Sequence, residues 1–513
     1  MSIFSYASAG FDGTIISIEV DLRRGIPGID IVGLPDIAVK EARERIRIAV
    51  KRSGFEFPRD RLLINMAPAG VRKEGASYDL PIATQILISS SQIPSPDKNI
   101  LILGELMLNG EIRPVKGILS AVASGLKKNI DIFILPQGNI YEASVLNKAN
   151  IYGINHLREL TIIFHQIEAG EKQSHRKNYV NTGELNQFAD KLDYSDLMGQ
   201  PILRRSMEIC AAGMHNILLF GPPGSGKTMA SLRLPGILPD LKGDEALEVT
   251  RIWSQAGKLP ENMPLIAHRP FRMPHHSASK EGMVGGGPDI LPGEVSLAHK
   301  GVLFLDETPE FGSSLLQGMR EPLENRKISI ARAGHSYWYP ADFQLVMAAN
   351  PCSCGNLGKD SSACVCSINE IHRYWKRIGG ALLDRIDMRV PVKPVDPSYL
   401  LTGESESSQS IKLRVEAAVI MQEERFVSEN FSRNARIPAG SVKKYCKLDD
   451  ETRAIFIETV SKLSLSSRAC HSVLKIARTI ADLNGCEHIE RDNFLEAVYY
   501  RRYGDRDIFW NEM

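Results

Sequence analysis

The chain has 513 residues, enough for two to four domains with cores of their own, and its 43% hydrophobic and 24% charged residues are those of an ordinary globular protein. With 62 lysines and arginines against 61 aspartates and glutamates the formal net charge is +1, so no global basic field exists and any nucleic-acid contact must come from a local patch, a pore or a ring. No run approaches the ~18 apolar residues of a membrane span and no basic-then-apolar leader opens the chain, so a cytoplasmic protein without a membrane partner is expected, its eight cysteines reduced or metal-bound rather than paired.

Residues 1–167 read as one α/β domain. The alternating strand GTIISIEVDL and the extended GIDIVGLP come first. A helix over Val39–Ser53 follows, with Ala42, Ile46, Ile48, Ala49 and Val50 in one stripe among lysines, arginines and glutamates. A solvated face is the simplest reading of that charge, with nucleic-acid contact the alternative. Next come the strand RLLINMAP, the hairpin ILGELMLNGEIRPV turning at Asn109-Gly110, the helix GILSAVASGLKK and the strand DIFILP. At KEGASYDLP and GEIRPVKGILSA this domain resembles the proteolytic domain of Lon-type proteases, a domain also found in ATPases that are not proteases. In that resemblance Ser77 falls at the nucleophile, while Leu119 or Ala121 occupies the place of the general-base lysine. A serine without a base holds almost no alkoxide at neutral pH, so the expectation is a proteolytically inactive scaffold, with Lys116 as the one candidate for a displaced base. The polar stretch 168–188 reads as a linker that lets the first domain move against the second.

Residues 189–395 carry the chemistry. After the apolar run Asn216–Phe220 comes GPPGSGKT, in which Gly221, Pro222, Pro223, Gly224, Ser225 and Gly226 form a loop whose amides turn toward phosphate. Lys227 supplies an ammonium for the β/γ oxygens and Thr228 a hydroxyl for Mg²⁺. GVLFLDE is a buried strand ending in two acids, Asp306 for Mg²⁺ and Glu307 to polarise the attacking water. FQLVMAAN ends at Asn350, an amide placed to orient that water beside the γ-phosphate. Between these lies RPFRMPHHSASKEGMVGGG, whose Arg269, Arg272, His275, His276 and Lys280 suit a loop that grips a phosphate backbone. The adjacent histidines also suggest a metal, but consecutive side chains diverge and no carboxylate stands at ligand spacing. NRKISIARAGHSYWYPADF reads as a second basic hairpin with Arg332 and His335, or as ordinary surface.

RPFRMPHHSAS, GEVSLAHKGVLFLDE, NPCSCG and ALLDRIDM together resemble the magnesium-chelatase-like AAA+ ATPases of the ComM/YifB family, nearly end to end. That resemblance implies an AAA+ P-loop core with a helical C-terminal lid, residues 396–513, behind a Lon-like α/β domain. It implies a hexameric ATP- and Mg²⁺-dependent ring acting on DNA as a helicase or in branch migration during recombination or natural transformation. A protein-remodelling ATPase and a magnesium-chelatase motor subunit are the alternatives. In the same resemblance Arg385 of GGALLDRIDM is the arginine finger offered to a neighbouring subunit, although Gly379-Gly380-Ala381 replaces the usual Ser-Gly-Pro. Arg468 matches the sensor-2 arginine, expected to reach the nucleotide from the lid, and Ser472 stands where another arginine is common. Finally, Cys352, Cys354, Cys364 and Cys366 form two C-x-C pairs that either close a tetrahedral Zn²⁺ site or remain a reduced, metal-free loop.

Overall fold

Alternating strands and continuous apolar runs sort into two separate sheets. The computed structural model describes residues 2–95, 97–171, 173, 192–260, 263–332, 335–358, 363–395, 398–399 and 405–503. Most of the expected linker, and parts of the polar connection that begins the C-terminal region, lie outside them.

The first sheet has seven strands in the order Gly28–Val32, Arg61–Ala67, Thr14–Arg23, Ile3–Ala7, Ile100–Ile102, Ile132–Pro136 and Asn150–Ile154. It is antiparallel where Thr14–Arg23 meets its two neighbours and parallel elsewhere. The helix Ile37–Arg52 starts on Asp36, whose carboxylate accepts from the Val39 amide at 2.7 Å, and buries Val39, Ala42, Ile46, Ala49 and Val50. Its charged face is solvated with one exception. Arg45 makes a two-pronged pair at 2.6 and 3.0 Å with Asp79, whose side chain is fully buried. Burial raises the Asp79 pKa to about 6 even with Arg45 opposing it.

The second sheet is wholly parallel, in the order Phe271–Arg272, Val302–Leu305, Gln344–Ala349, Ile217–Phe220, Met388–Pro391. The central strands are covered on both faces, which is why they read as unbroken apolar runs such as ILLF and VLFL. Both phosphate-site strands therefore end on the same edge. The helical C-terminal region packs behind this sheet. Helices Ser408–Arg425 and Ser467–Leu483 share one core with the helix Pro201–Gly213 and with Ile217 and Leu219. Buried charges hold these helices together, Asp482 pairing with Arg425 and Arg478, and Arg436 ties them to the sheet by reaching back to Asp342 at 2.9 Å.

The two α/β units are not independent. Phe11 of the first is buried in a cluster otherwise built from motor residues, including Val249, Ile252 and Trp253 of the helix Gly243–Gln255. Gln255 donates to the carbonyls of Gly10 and Phe11 at 3.0 and 3.2 Å, and Arg251 to Asp12 at 3.1 Å. The expected freedom of the first domain is thus opposed by a packed joint.

Candidate ATPase site

Gly221 follows the strand Ile217–Phe220 so closely against the next strand that a Cβ would stand 2.0 Å from the Val392 carbonyl oxygen. Gly224 and Gly226 hold φ of 80° and 96°, the left-handed backbone that glycine accepts without a Cβ clash. The loop then enters the helix Lys227–Arg233. Lys227 Nζ donates to the carbonyls of Gly221 at 2.7 Å and Pro222 at 2.9 Å and lies 3.4 Å from Asn350 Oδ1. Gln200 braces the loop from below, its side-chain amide donating to the carbonyls of Ser225 and Lys393 at 3.0 and 2.7 Å.

Thr228 Oγ1 donates to Asp306 Oδ2 at 2.8 Å, although the two residues are 78 positions apart. Hydroxyl and carboxylate oxygens are the hard donors that Mg²⁺ takes, so Thr228 and Asp306, the latter through a water, are the residues that would hold the ion beside the phosphates. Glu307 adopts a φ of 48°, which costs a non-glycine residue about 1–3 kcal/mol and turns its side chain away from the strand direction. Thr308 holds that turn by donating to the Leu305 carbonyl at 2.9 Å. Asn350 stands one residue beyond Ala349, which is in register with Phe220, so lysine, threonine, both acids and the amide converge on one edge of the sheet.

Arg385 and Arg468 are elsewhere. The strand Met388–Pro391 runs parallel to Ile217–Phe220 with Met388 opposite Ile217, and Asp387 accepts from the Asn216 amide at 3.1 Å. Arg385 therefore sits at the start of the strands, separated from the phosphate loop by about 13 Å of strand at ~3.3 Å per residue. Arg468 lies with it: both guanidiniums bind Glu324, Arg468 at 3.0 Å, and Arg468 also approaches Asp384 at 3.7 Å. Burial raises the Glu324 pKa, but the two arginines outweigh it and leave a net depression. The expectation that Arg468 reaches the nucleotide of its own chain is corrected by this placement, because the docked helix Ser467–Leu483 carries it to the opposite end of the sheet. Ser472 completes the cluster by donating to Asp387 at 2.9 Å.

The basic loops divide into structural and exposed residues. Arg269 is buried, donating to the Pro239 and Lys300 carbonyls and to Glu245, and Arg272 is forked onto Glu294 at 2.6 and 2.8 Å. Both are spent inside the fold, so the expected substrate contact is corrected for these two. His275, His276, Lys280, Arg332 and His335 remain exposed. The hairpin strands Lys327–Arg332 and His335–Pro340 lean on the insert that precedes the acidic strand: Arg332 donates to the carbonyls of Gly287 and Pro288, and Tyr339 to that of Ile290 at 2.8 Å.

The four cysteines of the loop after Asn350 come together. Cys352, Cys354 and Cys364 have sulfurs 3.3 to 3.7 Å apart, and all four sulfurs lie within 4.8 Å of one another. Among the described residues this is the one group of three or more side chains spaced to hold a metal, and the histidine pair joins none.

Comparison with known proteins accounts for the arrangement. Family descriptions match in three stretches: subunit ChlI of Mg-chelatase over residues 18–139, magnesium chelatase subunit ChlI over 193–400, and its C-terminal part over 405–501. The chain is 39% identical over 505 residues to the uncharacterised protein YifB of Salmonella typhimurium, covering 97% of this chain and 96% of that one. It is equally 39% identical over 505 residues to the competence protein ComM of Haemophilus influenzae, with 97% of each covered. The chain belongs to the ComM/YifB family of magnesium-chelatase-like AAA+ proteins. For this ComM/YifB member the AAA+ assignment makes ATP with Mg²⁺ the expected cofactors of the edge that gathers Lys227, Thr228 and Asp306. No helix among the described residues is long and apolar enough to cross a membrane.

The ComM/YifB chain also shows 31% identity over 132 residues to a Lon protease of Fervidobacterium nodosum, 25% of this chain and 16% of that one. In the first domain the two positions expected of a Lon-type base lysine are apolar. Leu119 and Ala121 are fully buried in the helix Ile118–Lys127, and the Lys116 side chain lies over Gly257 of the motor, whose Cβ would stand 2.6 Å from Lys116 Cε. Lys116 therefore serves the joint between the domains.

Proposed function

We propose that the chain is one subunit of a homo-hexameric ring that hydrolyses ATP to move along or remodel DNA, with single-stranded or branched DNA as substrate and helicase or branch-migration activity in recombination or natural transformation. ATP with Mg²⁺ occupies the edge formed by Gly221–Thr228 and Asp306. Lys227 neutralises the transferring phosphoryl group, Glu307 orients and deprotonates the attacking water, and Asn350 fixes its direction. Arg385 and Arg468 act together on the nucleotide of the adjacent subunit, supplying charge where it develops on the γ-phosphate oxygens. The four cysteines are a further candidate cofactor site, for Zn²⁺.

One observation carries the DNA reading. Two segments that interrupt the ATPase core meet where Arg332 donates to the carbonyls of Gly287 and Pro288 and Tyr339 to that of Ile290, and both carry exposed basic side chains, Lys280 on one and Arg332 and His335 on the other. The name of the competence protein ComM supports the same direction. The test is binding to forked and four-way DNA across a salt series, together with the stimulation of ATPase by the same DNA. Absence of both at low and moderate salt would replace DNA with a protein substrate.

A further inference from the structure

The loop after Asn350 touches the phosphate loop directly and reaches the turn after the acidic strand through the helix that follows it. Gly355, at a φ of 75°, brings the loop against Pro223 of the phosphate loop, where a Cβ would lie 3.0 Å from the proline ring. Pro351 accepts from the Trp375 indole at 3.0 Å. Immediately after Cys366, Ser367 and Glu370 form a capping box that starts the helix Ile368–Lys376, and just beyond this helix Arg377 pairs with Glu310 at 3.3 Å, three residues past Glu307. The two C-x-C pairs thus join the end of the sensor strand to the start of a helix that returns to the acidic strand.

Four reduced thiols have little affinity for each other: Cys352 is buried in the apolar core beside the sheet and the other three pack against it, but apolar packing alone does not set four sulfurs within 4.8 Å of one another. A single ion does. Zinc with bonds of about 2.3 Å places its four sulfurs about 3.8 Å apart, and the observed separations of 3.3 to 3.7 Å, with all four within 4.8 Å, fit that tetrahedron. A four-iron cluster binds each cysteine to a different iron and needs its sulfurs farther apart. We infer that Cys352, Cys354, Cys364 and Cys366 hold one structural Zn²⁺ per chain, and that this ion clamps Asn350 and Pro223 in the positions ATP hydrolysis requires. Binding converts the thiols to thiolates and releases their protons to solvent, with no change of oxidation state. The effect on turnover rests on the ATPase reading above, whereas the metal content does not.

The experiment measures metal first and turnover second. Full-length protein, purified under reducing conditions without chelator, is analysed by elemental mass spectrometry, and its cobalt-loaded form by visible absorption. The expected result is about one zinc per chain and the intense bands of tetrahedral cobalt thiolate, both lost in Cys352→Ser/Cys364→Ser. A wild-type protein with under a tenth of a zinc per chain that takes up no cobalt overturns the site, as does iron in place of zinc, or paired disulfides by mass. Because the double variant can fail to fold, Cys366→His, which keeps a ligand, is compared with Cys366→Ser: the first retains zinc and most turnover, the second loses both by at least tenfold while still binding an ATP analogue. Zinc loss with unchanged turnover overturns the clamp, and an inactive wild type that nevertheless carries zinc overturns the ATPase reading instead.

Discussion

Removing one aromatic ring tests whether the first domain is fixed to the motor. Phe11 is 5% exposed and is the one residue of its domain in a cluster with Leu241, Val249, Ile252 and Trp253. The Arg251 guanidinium stands 4.0 Å over its face and its amide donates to the Trp338 carbonyl at 2.9 Å. Phe11→Ala removes a buried aromatic, about 3–5 kcal/mol, of which the cation over the ring accounts for roughly 1–2. Neither α/β core contains Phe11 otherwise, so the loss falls on the docking equilibrium, about two to three and a half powers of ten at ~1.4 kcal/mol per tenfold. Hydrogen exchange followed by mass spectrometry reads this directly. Peptides covering residues 8–13 and 335–341 should exchange at least a hundredfold faster in the variant, while those covering Ile217–Phe220 and Arg61–Ala67 keep their protection. A change below threefold in the first pair, or equal loss in the central strands, would refute the joint.

The catalytic assignments are tested by Glu307→Gln, expected to lower turnover by about 10²–10⁴ with ATP binding retained, and by Arg385→Ala, expected to lower it by about 10³–10⁵. Mixing those two variants should restore activity in part, because some interfaces then pair an intact Glu307 with an intact Arg385; no recovery at any ratio counts against action between subunits. Lys280→Ala and Arg332→Ala should each reduce the slope of log affinity against log salt by about 0.7–0.9 for DNA, measured by fluorescence anisotropy, and an unchanged slope removes that residue from the contact. Burial raises the Asp342 pKa, but Arg436, Lys300 and Arg326 outweigh it and hold the carboxyl well below the usual range. A depressed folded pKa gives stability that is complete above the unfolded value near 4 and is lost as pH falls toward the folded one. Asp342→Asn should therefore lower the unfolding free energy read from urea titrations at pH 7 by about 3–5 kcal/mol and flatten its decline between pH 4 and 3; an unaltered acid limb would mean that the carboxylate does not hold the C-terminal helices to the sheet.

The phosphate loop and the acidic strand are legible in the sequence because each is a contiguous motif whose strand, turn and helix lie within a dozen residues, so local spacing specifies geometry. The cysteines are legible as a count, and only folding shows that the two pairs face each other. Arg269 and Arg272 mislead for a physical reason: composition marks them as cations, but their partners Glu245 and Glu294 are 24 and 22 residues away. Glu324 gives no local signal at all, being separated from Arg385 by 61 residues and from Arg468 by 144. The side of the sheet on which Arg468 falls depends on how the C-terminal helices dock, which is decided by buried contacts such as Ile476 and Ile480 rather than by its own neighbours.

The strand Ile217–Phe220 has a phosphate loop at one end and, through Asp387, the arginine cluster at the other. A subunit that completes its neighbour's site with this cluster offers one surface and receives a different one, which is a heterologous contact. Such contacts exclude a two-fold dimer as the working unit and permit only cyclic closure or an open helical filament. The number of competent sites then equals the number of closed interfaces, so a broken ring of n subunits loses one site for its missing contact while every chain in it remains intact.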